Sequence, residues 1–450
     1  MWTCIRNDNI DRYINQHSYL EEFIDDITLF NNKEKGYSFL PRYFMIQHPS
    51  HLLRMVFDDT FNSKEINISW NDEKKLKPEQ IEIVSTMKLN IETSGKYDSI
   101  GIIKARPGAG KTVMSIAISC ATQKKTLIIL DNNNLVQQWK DTIINFTNCT
   151  EEDIGIIQGS KFQVENKPFT IAMLQTLISK IKRDIDNFYV KMCNAGFDLV
   201  FFDECHKTTC GPKYAQASLF INTKNIIGLS ATPFATSIHK ILMEGTIGKI
   251  IAIDQKYELV PTVNFIKYDS GLSKRYSYFV LQAPDMLKQR SRFISKLTES
   301  VKYREIIELL VKQMLNEDHR IIIIVFTVEL VKAIYNWLQA IGIEGRMFYS
   351  KEVEIDKEND RIIIATYGFA GAGFDMKQLS GVILGTPLSG RKSLIQVIGR
   401  ILRTYEGKNP PIVYDLIDTQ FKGLFTREIL KKKAILESEF KCKTKEIEFN

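Results

Sequence analysis

Ser99-Ile-Gly-Ile-Ile103, followed by Ala105-Arg-Pro-Gly-Ala-Gly-Lys-Thr112, is the stretch of this 450-residue sequence that decides its fold. The first part is a short apolar run typical of a buried strand, and a helical pattern, Val113–Cys120, follows the glycines. Gly108 and Gly110 let backbone N–H groups turn inward around phosphate oxygens, at the positive end of that helix. A strand, a glycine-rich loop and a helix in this order predict a phosphate-binding loop in an α/β fold.

Short β-branched runs of the same kind recur along most of the chain. Continuous apolar runs that alternate with helical patterns indicate strands covered on both faces, and hence parallel sheets. The further runs are Thr126–Leu130, Phe169–Met173, Leu199–Phe202 and Ile226–Ser230 in the first half, and Ile321–Phe326, Arg346–Tyr349, Ile362–Thr366, Val382–Gly385 and Ile412–Leu416 in the second. Two successive parallel-sheet domains are therefore predicted.

The N-terminal part has a different pattern. Apolar residues from Ile10 to Ile27 recur at helical spacing among acidic residues, and aromatic pieces follow at Tyr37–Leu40 and Tyr43–Ile46. We predict a small accessory module here, with an acidic amphipathic helix and short strands or loops. The predicted organisation is an accessory module at 1–72, a first domain at 73–255, a connecting region at 256–300, and a second domain at 301–450 that ends in a helical tail.

Composition narrows the class of protein. Hydrophobic residues make up 44% of the chain and charged residues 25%, which are ordinary globular values, so bulk disorder is excluded. No window approaches the roughly 18 apolar residues of a membrane span, and the N-terminus lacks a signal peptide. We expect a soluble intracellular protein, located in the cytoplasm, or in the host cytoplasm if it is viral. The net charge of +7 fits either a solvated basic surface or a groove for a phosphate backbone.

The seven cysteines form no disulfide framework and no C-x-x-C pair, so reduced thiols are expected. Cys205, His206 and Cys210 lie close together in the sequence, but a fourth zinc ligand is missing. A structural zinc site is therefore not predicted.

Two carboxylates directly follow a buried strand. Asp203 and Glu204 come after Leu199–Phe202, which places them at the carboxyl edge of the sheet, where open α/β sheets bind ligands. An acidic helix cap would explain one carboxylate but not both. We expect Asp203 to hold Mg²⁺ and Glu204 to orient and deprotonate an attacking water.

Gln396-Val-Ile-Gly-Arg-Ile-Leu-Arg403 supplies a pair of arginines in the second domain. Arg400 and Arg403 have helical i, i+3 spacing, and apolar residues fill most of the remaining positions. A helix with such flanks is packed, and arginines on a packed helix need anionic partners. The terminal phosphate of a nucleotide held by the first domain meets that need.

Several of these motifs together resemble the superfamily 2 helicases and translocases. The matching motifs are Asp203-Glu-Cys-His206, Ser230-Ala-Thr-Pro233, Leu76-Lys-Pro-Glu-Gln80, Leu135-Val-Gln-Gln-Trp-Lys140, Gln175-Thr176, Thr366–Asp375 and Gln396–Arg403. The branch that is most similar contains the large translocase subunit of TFIIH, the phage recombination helicase UvsW and the poxvirus transcript-release helicase. The resemblance covers residues 74 to 420 and implies two tandem RecA-like domains that use ATP and Mg²⁺.

The resemblance also implies a set of site residues. The residues implied to bind ATP are Gln80, Ala105, Arg106, Pro107, Gly108, Ala109, Gly110, Lys111, Thr112, Gly373 and Asp375. Those implied to act in hydrolysis are Lys111, Glu204, Gln396, Arg400 and Arg403, with Thr112 and Asp203 as ligands of Mg²⁺. Those implied to couple hydrolysis to domain movement are His206, Ser230 and Thr232, and those implied to touch nucleic acid are Gln175, Thr176 and Thr366.

The leading hypothesis is an ATP-dependent helicase or translocase that moves 3′ to 5′ on single-stranded, duplex or branched DNA, with the transcription or recombination machinery as a partner. It is expected to be monomeric and not to act at a membrane. Recombination and repair, replication and transcript release all remain open as processes. An RNA helicase of the same fold is the alternative, because fold does not fix the polymer. A non-catalytic nucleotide-binding assembly factor is a third hypothesis, and it predicts damage to Lys111, Glu204 or Arg403, all of which are present.

Overall fold

The computed structural model divides the chain into two compact units, Met1–Gln255 and Lys256–Asn450. Within the described residues, no helix is both long and apolar enough to cross a membrane. The structure describes residues 2–449 except 17–29, 33–35, 42, 45–49, 52, 57–65, 96–99, 209–214, 222, 224, 235, 255–256, 273–275, 277–285, 350–355, 357, 369–375, 389 and 421.

The N-terminal residues form a small antiparallel sheet. Its strands are β1 (Trp2–Arg6), β2 (Phe30–Asn32), β3 (Tyr37–Leu40) and β4 (Leu53–Val56), and helix α1 (Ile10–Gln16) follows β1. The strand order is β2-β3-β1-β4. Alternate residues of β3 are buried, as expected for a strand with one covered face. Residues 17–27 of the predicted acidic helix lie outside the described residues.

The covered face of this sheet packs against other parts of the first unit. The shared apolar cluster consists of Ile5, Tyr13, Leu40, Phe44, Ala215, Leu219 and Leu242. The Tyr43 N–H donates a hydrogen bond to the Gly245 carbonyl at 2.6 Å. A Cβ at Gly245 would lie 2.8 Å from the Pro41 Cβ, so only glycine allows this close approach without a shift. The accessory residues and the 215–245 region therefore share one core.

Among the described residues of the first unit, the main sheet has eight strands. They are β5 (Gly101–Ala105), β6 (Thr126–Leu130), β7 (Ile154–Gln158), β8 (Lys161–Phe162), β9 (Phe169–Met173), β10 (Leu199–Phe202), β11 (Ile226–Ser230) and β12 (Ile250–Asp254). Their order is β12-β5-β11-β10-β6-β9-β7-β8, and all pairs are parallel except β7 with β8. The helices are α2 (Pro78–Thr93), α3 (Lys111–Thr122), α4 (Asn134–Phe146), α5 (Leu174–Arg183), α6 (Ile185–Ala195), α7 (Cys205–Thr208) and α8 (Ser237–Thr246), with short 3₁₀ turns at Glu151–Asp153 and Gln216–Phe220.

In the part of the second unit that the structure describes, seven strands form a sheet, and each pairing between them is parallel. Its strands are β13 (Thr262–Tyr268), β14 (Ile321–Val325), β15 (Arg346–Phe348), β16 (Ile362–Thr366), β17 (Gly381–Leu384), β18 (Ile412–Asp418) and β19 (Thr444–Phe449), in the order β15-β16-β14-β17-β18-β13-β19. The helices are α9 (Met286–Lys296), α10 (Val301–Asn316), α11 (Val328–Ala340), α12 (Arg391–Ile401) and α13 (Lys422–Phe440). The stretch 256–300 thus contributes a strand to this sheet.

The α/β class with two tandem parallel sheets is confirmed. The central strands β6, β9, β10, β11 and β14 are buried along their whole length, because helices cover both faces of each sheet. All parallel strands of a sheet point the same way, so their carboxyl ends meet at one edge.

Candidate nucleotide site and its coupling residues

Three of the predicted motifs meet at the carboxyl edge of the first sheet. The phosphate loop follows β5, Asp203 and Glu204 follow β10, and Ser230 ends β11. Strand β11 pairs with β5 on one side and with β10 on the other, so the three ends are neighbours. The strand order therefore brings together residues that lie far apart in the sequence.

The phosphate loop has the backbone shape that its glycines predict. Gly108 has φ +81° and Gly110 has φ +84°, a left-handed conformation that favours glycine. A Cβ at Gly110 would lie 2.4 Å from the Gln80 Nε2 atom. Helix α3 begins at Lys111, directly after Gly110, so its first N–H groups lie at the loop. The Lys111 ammonium donates to the Ala105 carbonyl at 3.3 Å.

Gln80 supports the loop from the start of α2. Its side-chain Oε1 accepts from the Lys77 N–H at 2.9 Å, and its Nε2 donates to the Ala109 carbonyl at 2.8 Å. The side chain is buried. Gln80 thus ties α2 to the phosphate loop, while its contact with adenine stays a prediction.

Arg106 forms a buried ion pair inside the loop. The Arg106 Nε lies 3.5 Å from the Asp254 Oδ1, and the backbone N–H of Arg106 donates to the backbone carbonyl of Asp254 at 2.7 Å. Both side chains are more than nine-tenths buried. Arg106, which the resemblance assigns to ATP binding, is therefore paired with Asp254, the last residue of β12. Asp254 carries no motif signal in the sequence, which is why it is absent from the predicted set.

Asp203 is a buried carboxylate held by two donors. The Trp139 indole Nε1 donates to its Oδ2 at 2.9 Å, and the Glu204 N–H donates to its Oδ1 at 2.9 Å. Burial, reinforced by the charge of Glu204, raises the pKa of Asp203 to about 6, while Trp139 and Lys111 act in the opposite direction. A nearby cation would favour the ionised form. The sequence quotes Trp139 in a motif but does not reveal its contact with Asp203.

Glu204 begins a chain of polar contacts that runs to Thr232. Glu204 itself has φ +45°, a strained backbone conformation for a non-glycine residue and one that is common at functional sites. The His206 Nδ1 lies 3.3 Å from the Glu204 Oε2 and 2.6 Å from the Ser230 Oγ. The Ser230 Oγ accepts from the Thr232 N–H at 3.1 Å. The structure thus places the predicted catalytic carboxylate next to His206, which is hydrogen-bonded to Ser230, and Ser230 in turn is bonded to the backbone of Thr232.

Gln175 and Thr176 lie at the first turn of α5, after strand β9 and at the same edge of the sheet. The Gln175 Nε2 donates to the Asp131 carbonyl at 2.9 Å, and the Thr176 Oγ1 accepts from the Gly159 N–H at 3.1 Å. Gln175 is exposed and Thr176 is partly exposed. Their predicted contact with nucleic acid remains a prediction.

In the second unit, Gln396 and Arg400 lie on α12, and Thr366 is the last residue of β16. Arg403, in contrast, lies beyond the helix, which ends at Ile401, so the predicted helical spacing of the two arginines does not continue to Arg403. The segment packs through Leu394, Ile395, Val397, Ile398, Ile401 and Leu402. Burial lowers the pKa of the Arg403 guanidinium. Gly373 and Asp375 lie outside the described residues.

The first unit fits ATP and Mg²⁺. The left-handed glycines and the first N–H groups of α3 form an anion cradle in which a Cβ at Gly110 would collide with Gln80. The buried Asp203 carboxylate is an oxygen ligand of the kind that Mg²⁺ prefers, and Thr112 at the start of α3 can offer its hydroxyl. Lys111, the first residue of α3, would supply the cationic group for the terminal phosphates.

Tandem parallel sheets with a phosphate loop, paired carboxylates and an arginine segment are features that this chain shares with the superfamily 2 helicases, which hydrolyse ATP. A protein-family model described as "Type III restriction enzyme, res subunit" matches residues 73–235, and it covers the first sheet up to the segment after Ser230. The resemblance inferred from the motifs is thereby confirmed at the level of the superfamily.

Relatives named as helicases or as a transcript termination protein match parts of this chain. "Putative ATP-dependent RNA helicase L396" of Acanthamoeba polyphaga mimivirus is 26% identical over 71% of this chain and 60% of its own length. "Transcript termination protein A18" of Vaccinia virus is 25% identical over 84% of this chain and 80% of its own. "Putative DNA 3'-5' helicase Rad25" of Haloarcula marismortui is 30% identical over 30% of this chain and 20% of its own. The chain thus spans less than two thirds of the mimivirus and archaeal proteins.

A solved structure supports the fold. "S. cerevisiae Dbp5 bound to RNA and ADP BeF3" superposes with a TM-score of 0.55 over 84% of this chain and 95% of its own, at 13% identity. At that identity, the likeness concerns the fold alone. It agrees with two tandem RecA-like domains.

Proposed function

We propose that this chain is an ATP-driven DNA translocase or helicase that moves 3′ to 5′. The observation that carries the proposal is the polar chain from Glu204 through His206 and Ser230 to Thr232. A simple nucleotide-binding protein has no need to connect its hydrolytic carboxylate to the end of the neighbouring strand. A motor has that need, because each hydrolysis step must be converted into movement.

The first unit carries out most of the chemistry. The loop N–H groups and Lys111 bind the phosphates, and Thr112 and Asp203 would hold Mg²⁺, which would supply positive charge next to the transferred phosphoryl group. Glu204 orients the attacking water and accepts its proton. The His206 Nδ1 lies 3.3 Å from the Glu204 carboxylate and is hydrogen-bonded to Ser230, so in this proposal His206 passes a change at that carboxylate to Ser230 and to the Thr232 backbone.

The arginines of the second unit complete the reaction in this proposal. Gln396, Arg400 and Arg403 sense the terminal phosphate and stabilise the charge of the transition state. Gly373 and Asp375 would contact the nucleotide, and Asp375 would reach the ribose. Support comes from the motif order along the sequence and from the packed apolar flanks of α12.

Nucleic acid is gripped through its backbone in the proposed mechanism. Gln175, Thr176 and Thr366 contact phosphates, so binding is independent of base sequence and is weakened by salt. DNA is favoured over RNA by the likeness of the motifs to the TFIIH and phage branch, and by the relative named as a DNA 3′-5′ helicase. The relative named as an RNA helicase makes RNA the second candidate. The proposed setting is transcript release, replication or recombination and repair, with the chain acting as a monomer.

The decisive experiment compares three polymers in one assay. ATP turnover by the full chain is measured with single-stranded oligo(dT), with duplex DNA and with single-stranded RNA, and Glu204→Gln serves as the inactive control. Stimulation by DNA above that by RNA supports the proposal, and the reverse order establishes the RNA alternative. Turnover that equals the Glu204→Gln background with every polymer points to the non-catalytic assembly factor. Partial duplexes with a 3′ or a 5′ overhang then decide the polarity.

A further inference from the structure

The backbone at Arg403 is not fixed by its helix. Helix α12 ends at Ile401, Leu402 has φ −94° and ψ 4°, and Arg403 lies in a bend. In a continuing helix, the carbonyls of Ile401 and Arg403 would accept from N–H groups four residues further on. At a helix end these acceptors need other partners. Another group must therefore donate to these carbonyls where the chain leaves α12.

Lys408 provides these partners. Its ammonium donates to the Ile401 carbonyl at 2.8 Å, to the Arg403 carbonyl at 2.7 Å and to the Lys377 carbonyl at 3.2 Å. An ammonium has three N–H donors, so the three carbonyls satisfy it fully. Lys377 lies two residues after Asp375, the predicted ribose residue. One side chain thus ties the end of α12 to the segment that follows the motif Thr366–Asp375.

A tight turn presents Lys408 to these carbonyls. The Lys408 N–H donates to the Tyr405 carbonyl at 3.3 Å, and Gly407 has φ +72°, as the third residue of such a turn requires. Burial and the charge of Arg403 lower the pKa of Lys408 to about 8. The Lys408 ammonium therefore lies near the like charge of Arg403. The carbonyl dipoles at the C-terminus of α12 offset the repulsion between the two cations.

We propose that Lys408 is a positioning residue that holds the backbone of Arg403 and joins it to the segment at Lys377, so that Arg403 is presented in one geometry for hydrolysis. The inference rests on the proposed role of Arg403. It adds a residue outside the recognised motif, since Lys408 lies five positions beyond the final arginine.

The test uses Lys408→Met in the full chain, because methionine keeps much of the length but removes the donors. We expect kcat for oligo(dT)-stimulated ATP hydrolysis to fall about 10- to 100-fold, as a misplaced catalytic group does, with little change in KM for ATP. Lys408→Arg should restore part of kcat, because a guanidinium can still donate to carbonyls. Lys443→Met removes an exposed lysine of the same unit and should leave kcat unchanged.

A double-variant cycle separates positioning from general stability. If Lys408 acts through Arg403, Arg403→Ala with Lys408→Met has the kcat of Arg403→Ala alone. Additive losses, or a normal kcat in Lys408→Met, overturn the inference.

Amide hydrogen exchange gives a readout that does not depend on turnover. In Lys408→Met, residues 402–409 should exchange faster, while strand β18 keeps its protection. Equal exchange in the variant and the wild type overturns the inference. If Arg403→Ala turns over normally, the proposed role of Arg403 fails, and the exchange experiment still decides whether Lys408 holds this segment.

Discussion

The carboxyl edge of the first sheet and the arginine segment of the second unit hold their reactive groups in different ways. At the first edge, polar side chains follow strand ends and bond to residues that are distant in sequence, as Asp203 does to Trp139 and His206 to Ser230. In the second unit, Arg403 lies beyond its helix, and the nearby backbone is held by Lys408. In the first region, the order of the strands brings the reactive side chains together. In the second region, a single loop side chain, Lys408, contacts the backbone next to Arg403.

The largest expected effect comes from one substitution in each region, Lys111→Ala and Arg403→Ala, which should differ in whether ATP binding is kept. Lys111→Ala should abolish both nucleotide binding and hydrolysis, because it removes the cation that contacts the phosphates. Arg403→Ala should keep binding but lose about 10³- to 10⁵-fold in stimulated turnover, as removal of an arginine finger does. Affinity for a fluorescent ATP analogue and kcat are measured on the same preparations. Near-normal turnover of Arg403→Ala would contradict the role assigned to it.

Ser230→Ala tests whether the first edge also transmits movement. The substitution removes the hydroxyl between His206 and Thr232, so strand separation should fall about tenfold while ATP turnover changes less than about threefold. Ser218→Ala removes another buried hydroxyl, which donates to the Ala215 carbonyl and is not part of the contacts between Glu204 and Thr232, and should affect neither strand separation nor turnover. Equal losses of turnover and strand separation in Ser230→Ala would show that the serine serves hydrolysis and not coupling.

Trp139→Phe examines how firmly the first edge holds its carboxylate. Loss of the indole donor leaves Asp203 less readily ionised, so the Mg²⁺ concentration for half-maximal turnover should rise about fivefold. The matched control is Trp70→Phe, since the Trp70 Nε1 donates to the Lys74 carbonyl at 2.7 Å. Trp70→Phe also loses an indole hydrogen bond, but one to a backbone carbonyl, and we expect its Mg²⁺ requirement to stay unchanged. An unchanged Mg²⁺ requirement in Trp139→Phe would mean that Trp139 does not tune Asp203.

Asp418, at the carboxyl end of β18, gives the smallest effect, on stability alone. Burial raises its pKa to about 6, so the folded state binds the proton more tightly than the unfolded chain. Stability from this group is therefore present at low pH and is lost as the pH rises from about 4 to about 6. Asp418→Asn stays neutral and should be more stable than wild type by about 2 kcal/mol at pH 7, with no difference near pH 4.

A carboxylate with the opposite shift serves as the control for that measurement. The Asn359 side chain and nearby backbone N–H groups lower the pKa of Asp356, so Asp356→Asn should not stabilise the protein at neutral pH. Both variants are followed by chemical denaturation across the pH range. A pH-independent gain for Asp418→Asn would show that the carboxylate is not desolvated in solution.

The sequence predicted the central strands well. Five runs match the observed strands residue for residue: Thr126–Leu130, Phe169–Met173, Leu199–Phe202, Ile226–Ser230 and Ile362–Thr366. The first four are wholly buried, and a continuous apolar run bounded by polar residues carries that information. Edge strands such as β12 and β19 were not predicted, because their exposed residues interrupt the apolar pattern.

The sequence predicted which residues belong to the motifs of the site, but not the contacts that these residues make with distant parts of the chain. The contact between Trp139 and Asp203 joins residues 64 positions apart, and neither the pattern nor the spacing contains it. Similarly, the apolar pattern of α12 continues through Leu402, so the sequence gives no sign that the helix ends at Ile401. At that ending the Lys408 ammonium donates to the Ile401 carbonyl, and acceptors that are backbone atoms leave no trace in residue types.

The close packing of the N-terminal sheet has a practical consequence for truncation experiments. A chain that begins at residue 73 would lose Ile5, Tyr13, Leu40 and Phe44 and would leave Leu219 and Leu242 facing water. Exposed apolar surface of this kind promotes aggregation, so loss of activity in such a fragment would report misfolding instead of the task of residues 1–72. Substitution of exposed side chains within the module, such as Arg12, keeps the shared core intact and is the sounder way to assign that task.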